Sequence, residues 1–481
     1  AEQTPLTAAA MVAILHEAGG PQDALQLLPG QGETVGAQLV AHPLVAGVMF
    51  TGSTQVARRL ARQLATRLSP DGHAVPLIAE TGGLNALVVD SSALAEQVVL
   101  DVLTSAFDSA GQRCSALRLL CLQEDVAARQ LGMLKAALQE WRMGNPDRLA
   151  TDVGPVIDEA ARAQIEAHID AMQAAGQKVT RLHQSGGNGH FVAPAIIEID
   201  SVSRLTHEVF GPVLHVVRYQ RDHLDELIAQ INASGYGLTF GVHSRIDETI
   251  EHLTDQVQAG NIYVNRNIIG AVVGVQPFGG MGLSGTGPKA GGPLYLHRLV
   301  QEAPGDALAL LPKAQATVGE PSGAVLAPLA GANLPQVDGA QAKALIDAAM
   351  RASRLHERWL LAGPAGEPNA WRLLPRGPVW ALPAGPLGLL AQVVAALASG
   401  NRCHAVLPED GGACAALWQA LRAALGAAAE GRLRQGRHED IADGALPVAA
   451  LVFEGGGDAL KQLLGTVAER AGGLARVSRR T

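Results

Sequence analysis

The stretch Val45-Ala46-Gly47-Val48-Met49-Phe50-Thr51-Gly52-Ser53-Thr54 decides how the chain is read. Val45 to Phe50 is a short apolar run suited to a buried strand. Thr51 to Thr54 is a glycine turn, and Gln55 to Leu68 then takes up a helical pattern. Strand, glycine turn and helix in this order form the unit of a parallel α/β sheet. Backbone N–H groups and a Ser hydroxyl at a helix start suit a phosphate. An ordinary helix cap is the commoner use of such a Ser.

Outward from this unit the alternation continues. Strands are predicted at Val75–Ala79, Ala86–Val89, Ala116–Leu122, Val213–Tyr219, Phe240–Ser244 and Ile262–Asn265. Helices are predicted at Thr7–Gly19, Ala93–Ala110, Glu124–Arg142, Glu159–Ala175 and Asp247–Gln258. Residues 304–340, rich in Ala, Gly and Pro, read as a linker. Gln341–Leu361 reads as a helix, and a second α/β segment runs from about Trp371 to the end.

The chain has 481 residues, 48% of them apolar and 17% charged. That is ample for buried cores and corresponds to about three domains at ~150 residues each. With only 7 Phe, 5 Trp and 4 Tyr against 55 Gly, the interior must rest on Ala, Val, Leu and Ile. A net charge of −8 argues against a nucleic-acid partner for this region. Four cysteines exclude a disulfide scaffold and fit a reducing, cytoplasmic setting. No stretch approaches the ~18 apolar residues of a membrane span. The first residues carry neither a signal-like core nor an initiator Met, so the chain is expected to be cut from something longer.

Cys114, in Ser109-Ala110-Gly111-Gln112-Arg113-Cys114-Ser115, follows a helix at a glycine break. A buried, inert thiol is the usual reading of one cysteine. The loop position and the adjacent Arg113 would supply the access and positive potential that a nucleophile needs. Cys121, Cys403 and Cys414 sit in apolar surroundings and read as inert, and no spacing suits a metal. Glu80 stands at the C-terminal end of a strand, the edge where parallel sheets place their chemistry. It is either a general base or a turn carboxylate. Gly280-Met281-Gly282-Leu283-Ser284-Gly285 formally matches the dinucleotide glycine pattern. Neither a buried strand before it nor a helical pattern after it supports that use.

Phe50–Ser53, Glu80–Gly83, Gly111–Cys114, Glu208-Val209-Phe210-Gly211-Pro212 and Pro277-Phe278-Gly279-Gly280 occur in one order. That order resembles the aldehyde dehydrogenase superfamily. Glu80–Ala86, Gly111–Ala116 and Ser284–Pro293 are similar to the glutamate semialdehyde dehydrogenase domain of the bacterial proline utilization A family. The resemblance implies an NAD-dependent oxidation of glutamate semialdehyde to glutamate. Cys114 would form a thiohemiacetal and then a thioester, and Glu80 would activate the hydrolytic water. Glu208 would bind the nicotinamide ribose and Phe210 would pack by the nicotinamide ring. Gly52 and Ser53 would meet the pyrophosphate, and Glu2 would lie near the adenosine ribose. Ser115, Ser284, Gly285 and Thr286 would hold the substrate carboxylate. It further implies a homo-oligomer, no metal, and FAD only in a proline dehydrogenase domain absent from this sequence.

The family's Pro-Trp-Asn-Phe-Pro segment, whose Asn stabilises an oxyanion, is expected upstream of Glu2. Losing such a donor typically costs ~10²–10³ in rate. The C-terminal residues resemble a worn second copy of the nucleotide-binding unit. Leu382-Pro383-Ala384-Gly385-Pro386-Leu387 stands where that motif would be. Ala405-Val406-Leu407-Pro408-Glu409-Asp410 stands where the family's Ala-Lys-Pro-Ala-Glu would be, and Ala450–Gly456 echoes Gly47–Ser53. Gly385, Leu407 and Gly456 replace the Asn, the Lys and the phosphate Ser. The expected architecture is half of a Rossmann-type NAD domain (1–85), an α/β catalytic domain (86–300), a linker (301–340) and a degenerate Rossmann-like domain (341–481). The competing readings are a dehydrogenase for another aldehyde and a catalytically silent scaffold.

Overall fold

The computed structural model describes residues 2–183, 187–300, 308, 322–355, 357–408, 412–444 and 446–480. Helices α1 (Pro5–Glu17) and α2 (Ala37–Ala41) precede strand β1 (Val48–Thr51), helix α3 (Thr54–Leu64) and strand β2 (Leu77–Glu80). β1 and β2 pair in parallel, with Thr51 opposite Glu80.

The main sheet follows. Its elements are β3 (Ala86–Val89), α4 (Ala95–Phe107), β4 (Leu119–Gln123), α5 (Glu124–Gln139), α6 (Glu159–Ala174), β5 (Lys178–Arg181), β6 (Ala195–Glu198), β7 (Val213–Tyr219), α7 (Leu224–Ala233), β8 (Tyr236–Gly237), β9 (Thr239–His243), α8 (Asp247–Gln256), β10 (Asn261–Val264) and β11 (Met281–Gly282). Seven strands pair in the order β10-β9-β3-β4-β7-β6-β5, and only β5 runs antiparallel to its neighbour. Leu119, Cys121, Ile197 and Val213 belong to the core on one face; Leu120, Leu122, Ile196 and Leu214 belong to the core on the other. Helices cover both faces, so these strands read as unbroken apolar runs rather than alternating ones.

The C-terminal unit contains α9 (Gly339–Ala352), β12 (Arg358–Leu361), β13 (Asn369–Arg372), β14 (Val379–Leu382), α10 (Pro386–Ala398), β15 (Cys403–Ala405), α11 (Gly412–Leu425), β16 (Leu433–Gln435), α12 (His438–Ala442), β17 (Ala450–Phe453), α13 (Gly457–Glu469) and β18 (Arg476–Arg479). Its five-stranded sheet has the order β16-β15-β14-β17-β18, all parallel. That is the doubly wound order, with its reversal between β14 and β17.

Two sequence expectations change. Gln341–Leu361 is not one helix: α9 ends at Ala352, and Arg358–Leu361 is a strand antiparallel to Asn369–Arg372. The cause is the Trp359–Trp371 pair, whose rings lie 5.0 Å apart and bury one face of the ribbon. Of the expected linker, residues 301–307 and 309–321 lie outside the described residues. Leu326, Leu329 and Leu334 are buried in the C-terminal core, so its packing begins before residue 341.

The C-terminal unit docks on the first 300 residues. Helix α3 packs against its counterpart α13. Leu68 joins the cluster of Trp380, Leu460 and Leu463. Arg58 Nη2 donates to the Gly472 carbonyl at 2.7 Å, and Arg479 Nη1 to the Gly72 carbonyl at 2.8 Å. Among the described residues no helix is long and apolar enough to cross a membrane.

Candidate active site

Helix α4 stops at Phe107, and Ser109, Ala110 and Gly111 then take φ values of 56°, 55° and 65°. Two of these left-handed residues carry a Cβ, so the turn stores strain, as functional turns often do. It is held shut because a side chain on Gly111 would overlap the Gly211 carbonyl. Cys114 emerges from this turn as a half-buried free thiol. Asn85 clamps the segment beyond it: Nδ2 donates to the carbonyls of Cys114 (2.7 Å) and Ala116 (2.8 Å), and Oδ1 accepts from Thr239 N (3.0 Å).

The electrostatics of the thiol differ from the sequence reading. The Arg113 guanidinium turns away, to Asp108 at 3.0 Å and to Ser109 Oγ at 3.2 Å. Burial pushes the Cys114 thiol up, and the carboxylates Glu208 and Glu80 push it further; the N–H groups of Cys114 and Ser115 oppose them. The thiol therefore rests protonated and needs a base as it attacks.

Glu80 ends β2. Its Oε2 accepts from Gly280 N at 2.9 Å, while Oε1 is buried without a hydrogen-bond partner among the described residues. Burial raises its carboxyl from 4.5 to about 7, against the pull of the Gly280 N–H, Lys289 and Arg376. That value suits a general base near neutrality. Burial brings the Lys289 ammonium down to about 8, with Glu80 opposing, and its Nζ donates to the Gly260 carbonyl.

Glu208 faces the opposite charge. Its Oε1 accepts from Arg118 Nη2 (3.0 Å) and Nε (3.3 Å), and Arg118 is 1% exposed. A side chain on Gly82 would overlap Glu208 Oε2, so the glycine keeps that oxygen's place open. Phe210 is 47% exposed, with the Arg118 guanidinium 5.5 Å from its ring centre.

The anchor loop lies along β2. Thr81 N donates to Ser284 O (3.0 Å) and Thr286 N to Ala79 O (2.9 Å), which sets Gly285 opposite Glu80. In such a pair the Gly285 N–H points away from the strand. The Ser284 hydroxyl accepts from Gly237 N at 3.0 Å and the Thr286 hydroxyl from Ala79 N at 3.0 Å. Both hydroxyls are thus already engaged within the fold. Ser115 is buried, and its carbonyl accepts from Thr239 Oγ1 at 3.2 Å.

Gly52 N donates to Glu80 O at 3.1 Å, which ties the glycine turn to the end of β2. Ser53 caps α3, its Oγ accepting from Val56 N at 3.2 Å. Glu2 accepts from Gly32 N at the exposed N-terminal end. The structure thus gathers Cys114, Glu80, Glu208 and Gly285; no contact joins Glu2 to them. Asn85, Arg118 and Lys289 are the supporting residues that the motifs left without a role. Arg118 had one signal, a cation inside an apolar run.

A second crevice lies at the β14/β17 reversal. There the Glu454 carboxylate accepts from Ala384 N at 3.0 Å and faces Arg480 at 3.6 Å. A side chain on Gly388 would overlap it. The chain's own carboxylate occupies the N-terminus of α10, where a phosphate would otherwise bind.

The parallel β1–β2 pair and the seven-stranded sheet thus frame a cysteine in the field of two carboxylates. The aldehyde dehydrogenase family model matches residues 1–302, and the chain belongs to that family. It is 51% identical over 488 residues to the bifunctional protein PutA of Escherichia coli, covering 99% of this chain and 36% of that protein. The chain thus spans about a third of the length of this curated relative. A crystal structure of bifunctional proline utilization A aligns with TM-score 0.59 at 58% identity, over 62% of this chain and 30% of the other. The 1-pyrroline-5-carboxylate dehydrogenase from Thermus with bound NAD aligns with TM-score 0.57 at 34% identity, over 62% and 58%.

Proposed function

We propose that this chain carries the dehydrogenase centre for glutamate semialdehyde in an NAD-dependent, bifunctional enzyme of proline catabolism. The observation that carries the proposal is Cys114, set by a strained turn within the field of Glu80 and Glu208. The Cys114 sulfur bonds to the aldehyde carbon as the thiol proton passes to the aldehyde oxygen, forming a thiohemiacetal; that hydroxyl proton is released to solvent when the hydride leaves and the thioester carbonyl forms. When bound, NAD supplies the acceptor for the hydride that leaves this carbon. Glu80 takes a proton from water as the water attacks the resulting thioester, and the carboxylic product and the free thiol leave. Glu208, fixed by Arg118, has a second oxygen for a ribose hydroxyl. Phe210 offers an exposed ring face, and the Gly52–Ser53 turn opens the N-terminus of α3 toward a pyrophosphate. These features fit the cofactor. Ser284 and Thr286 shape the substrate anchor through the backbone, while the Gly285 N–H faces the substrate carboxylate.

Residues 1–85 are read as part of the nucleotide domain, 86–300 as the catalytic domain and the C-terminal unit as its degenerate copy. Glu454 at the α10 N-terminus supports the last assignment. Three buried free thiols support a cytoplasmic setting and a net charge of −8 supports a small-molecule rather than a nucleic-acid partner, while self-association is part of the reading through the family resemblance.

The test compares NADH formation from glutamate semialdehyde and from propionaldehyde in the natural protein that contains this chain. A preference for the semialdehyde, lost in Cys114→Ala, is expected. Equal rates with propionaldehyde, or activity unchanged in Cys114→Ala, would overturn the proposal.

A further inference from the structure

A cavity of roughly 390 Å³ lies where the C-terminal unit meets the first 300 residues, between α3 with β2 and α13 with β18. Its size is that of a small-molecule site. Leu64, Val75, Leu464 and Val467 form apolar wall, and Arg298, Arg476 and Arg479 bring three guanidinium groups to the lining. Among the described residues no Asp or Glu lines it.

These cations are unequally satisfied. Arg479 donates to the carbonyls of Gly455 (3.1 Å) and Gly72 (2.8 Å). Arg298 donates to the carbonyls of Gly287 and Leu77, each at 3.3 Å. The Arg476 guanidinium has no hydrogen-bond or ion-pair partner among the described residues, and the residue is exposed, so the cavity mouth at Arg476 is open to solvent. Arg376, which donates to Thr286 O at 2.7 Å, adds a fourth positive charge nearby. Burial together with Arg476 and Arg376 brings Arg298 down to about 10, and Arg476 lowers Arg376 in turn. Glu80 acts on Arg376 but does not line the cavity. A cluster of like charges is costly in a partly dry site. In a chain of net charge −8, a cluster with no carboxylate among the described lining residues is one that an anionic ligand can neutralise.

We infer that this junction is a binding site for a small amphipathic anion, its carboxylate or phosphate head held by Arg476 and Arg298 and its aliphatic body against the leucine and valine wall. Planar guanidinium groups suit such a head by paired hydrogen bonds. The cavity adjoins the back of the anchor loop, where Thr286 lines it, but its ligand needs neither aldehyde nor NAD.

The experiment is calorimetric titration of the chain at fixed ionic strength with octanoate, octyl phosphate, inorganic phosphate and octanol. Saturable binding of one octanoate or octyl phosphate per chain is expected, the tighter of the two naming the head group. Inorganic phosphate should bind more weakly, and octanol not measurably. Arg476→Met should weaken the amphiphile at least ten-fold. The same variant should melt at a higher temperature than the parent when ligand-free, because it relieves repulsion; a merely structural arginine would lower it. Octanol binding as tightly as octanoate, inorganic phosphate binding as tightly as the amphiphiles, affinity unchanged in Arg476→Met, or no saturable anion binding would each overturn the inference.

Discussion

At the scale of the residue, Glu80 and Arg118 show how burial sets charge. Glu80's carboxyl moves from 4.5 to about 7, so the fold holds its proton more tightly than the unfolded chain does. Ionised Glu80 therefore costs stability, nothing below pH 4.5 and the full amount above about 7. Glu80→Gln removes that cost and should stabilise the protein at pH 8 by up to about 3 kcal/mol, at 1.36 kcal/mol per pKa unit. Urea midpoints at pH 4 and pH 8 check it; an equal shift at both values would refute the assignment. Arg118→Met strands the Glu208 carboxylate, 12% exposed, without its cation. Breaking such a pair should cost about 3–5 kcal/mol in urea unfolding, and a loss below 1 kcal/mol would show that Glu208 finds water instead. Cys114 and Glu80 were legible in the sequence because a break and a strand end mark them. Arg118 was not, because its partner lies 90 residues away. The role of Arg113 was misread for a related reason: adjacency does not fix where a long side chain points.

At the scale of the element, glycines mark where one piece closes on another. Gly388 lies in the first turn of α10, against Glu454. Gly388→Ala should destabilise the C-terminal unit by about 1–3 kcal/mol through overpacking. Adding Glu454→Ala should recover most of that loss, and the double-mutant coupling measured by denaturant unfolding decides it. Strictly additive effects would place the strain elsewhere. The strand–helix alternation was readable because both faces of the main sheet are covered, which leaves long apolar runs. Arg358–Leu361 was not, since four residues after a helix carry no period of their own. Only the ribbon with Asn369–Arg372 makes them a strand.

At the scale of the molecule, the β1–α3–β2 piece and the doubly wound C-terminal unit meet through α3 and α13, with Leu68 partly buried against residues of the second unit. Leu68→Asp places a charge in that seam. Scanning calorimetry should then show two transitions in place of one cooperative transition. A single transition merely shifted downward would mean that other contacts, such as Arg372–Asp255 at 2.7 Å, suffice to couple the units. The order of the C-terminal strands was not stated in the sequence; what could be read there was the echo of Gly47–Ser53 at Ala450–Gly456, and each stretch is a strand followed by a glycine turn and a helix.

The α3–α13 contact has a consequence for how copies of this chain count one another. Each polypeptide brings its own cover for α3, tethered at an effective concentration of about millimolar. Dilution therefore cannot uncover that face, and substitutions on it should act to the same degree at any protein concentration. Symmetric pairing of two chains through the α13-facing side of α3 is pre-empted from within, so a homo-oligomer has to be assembled on surfaces other than that side.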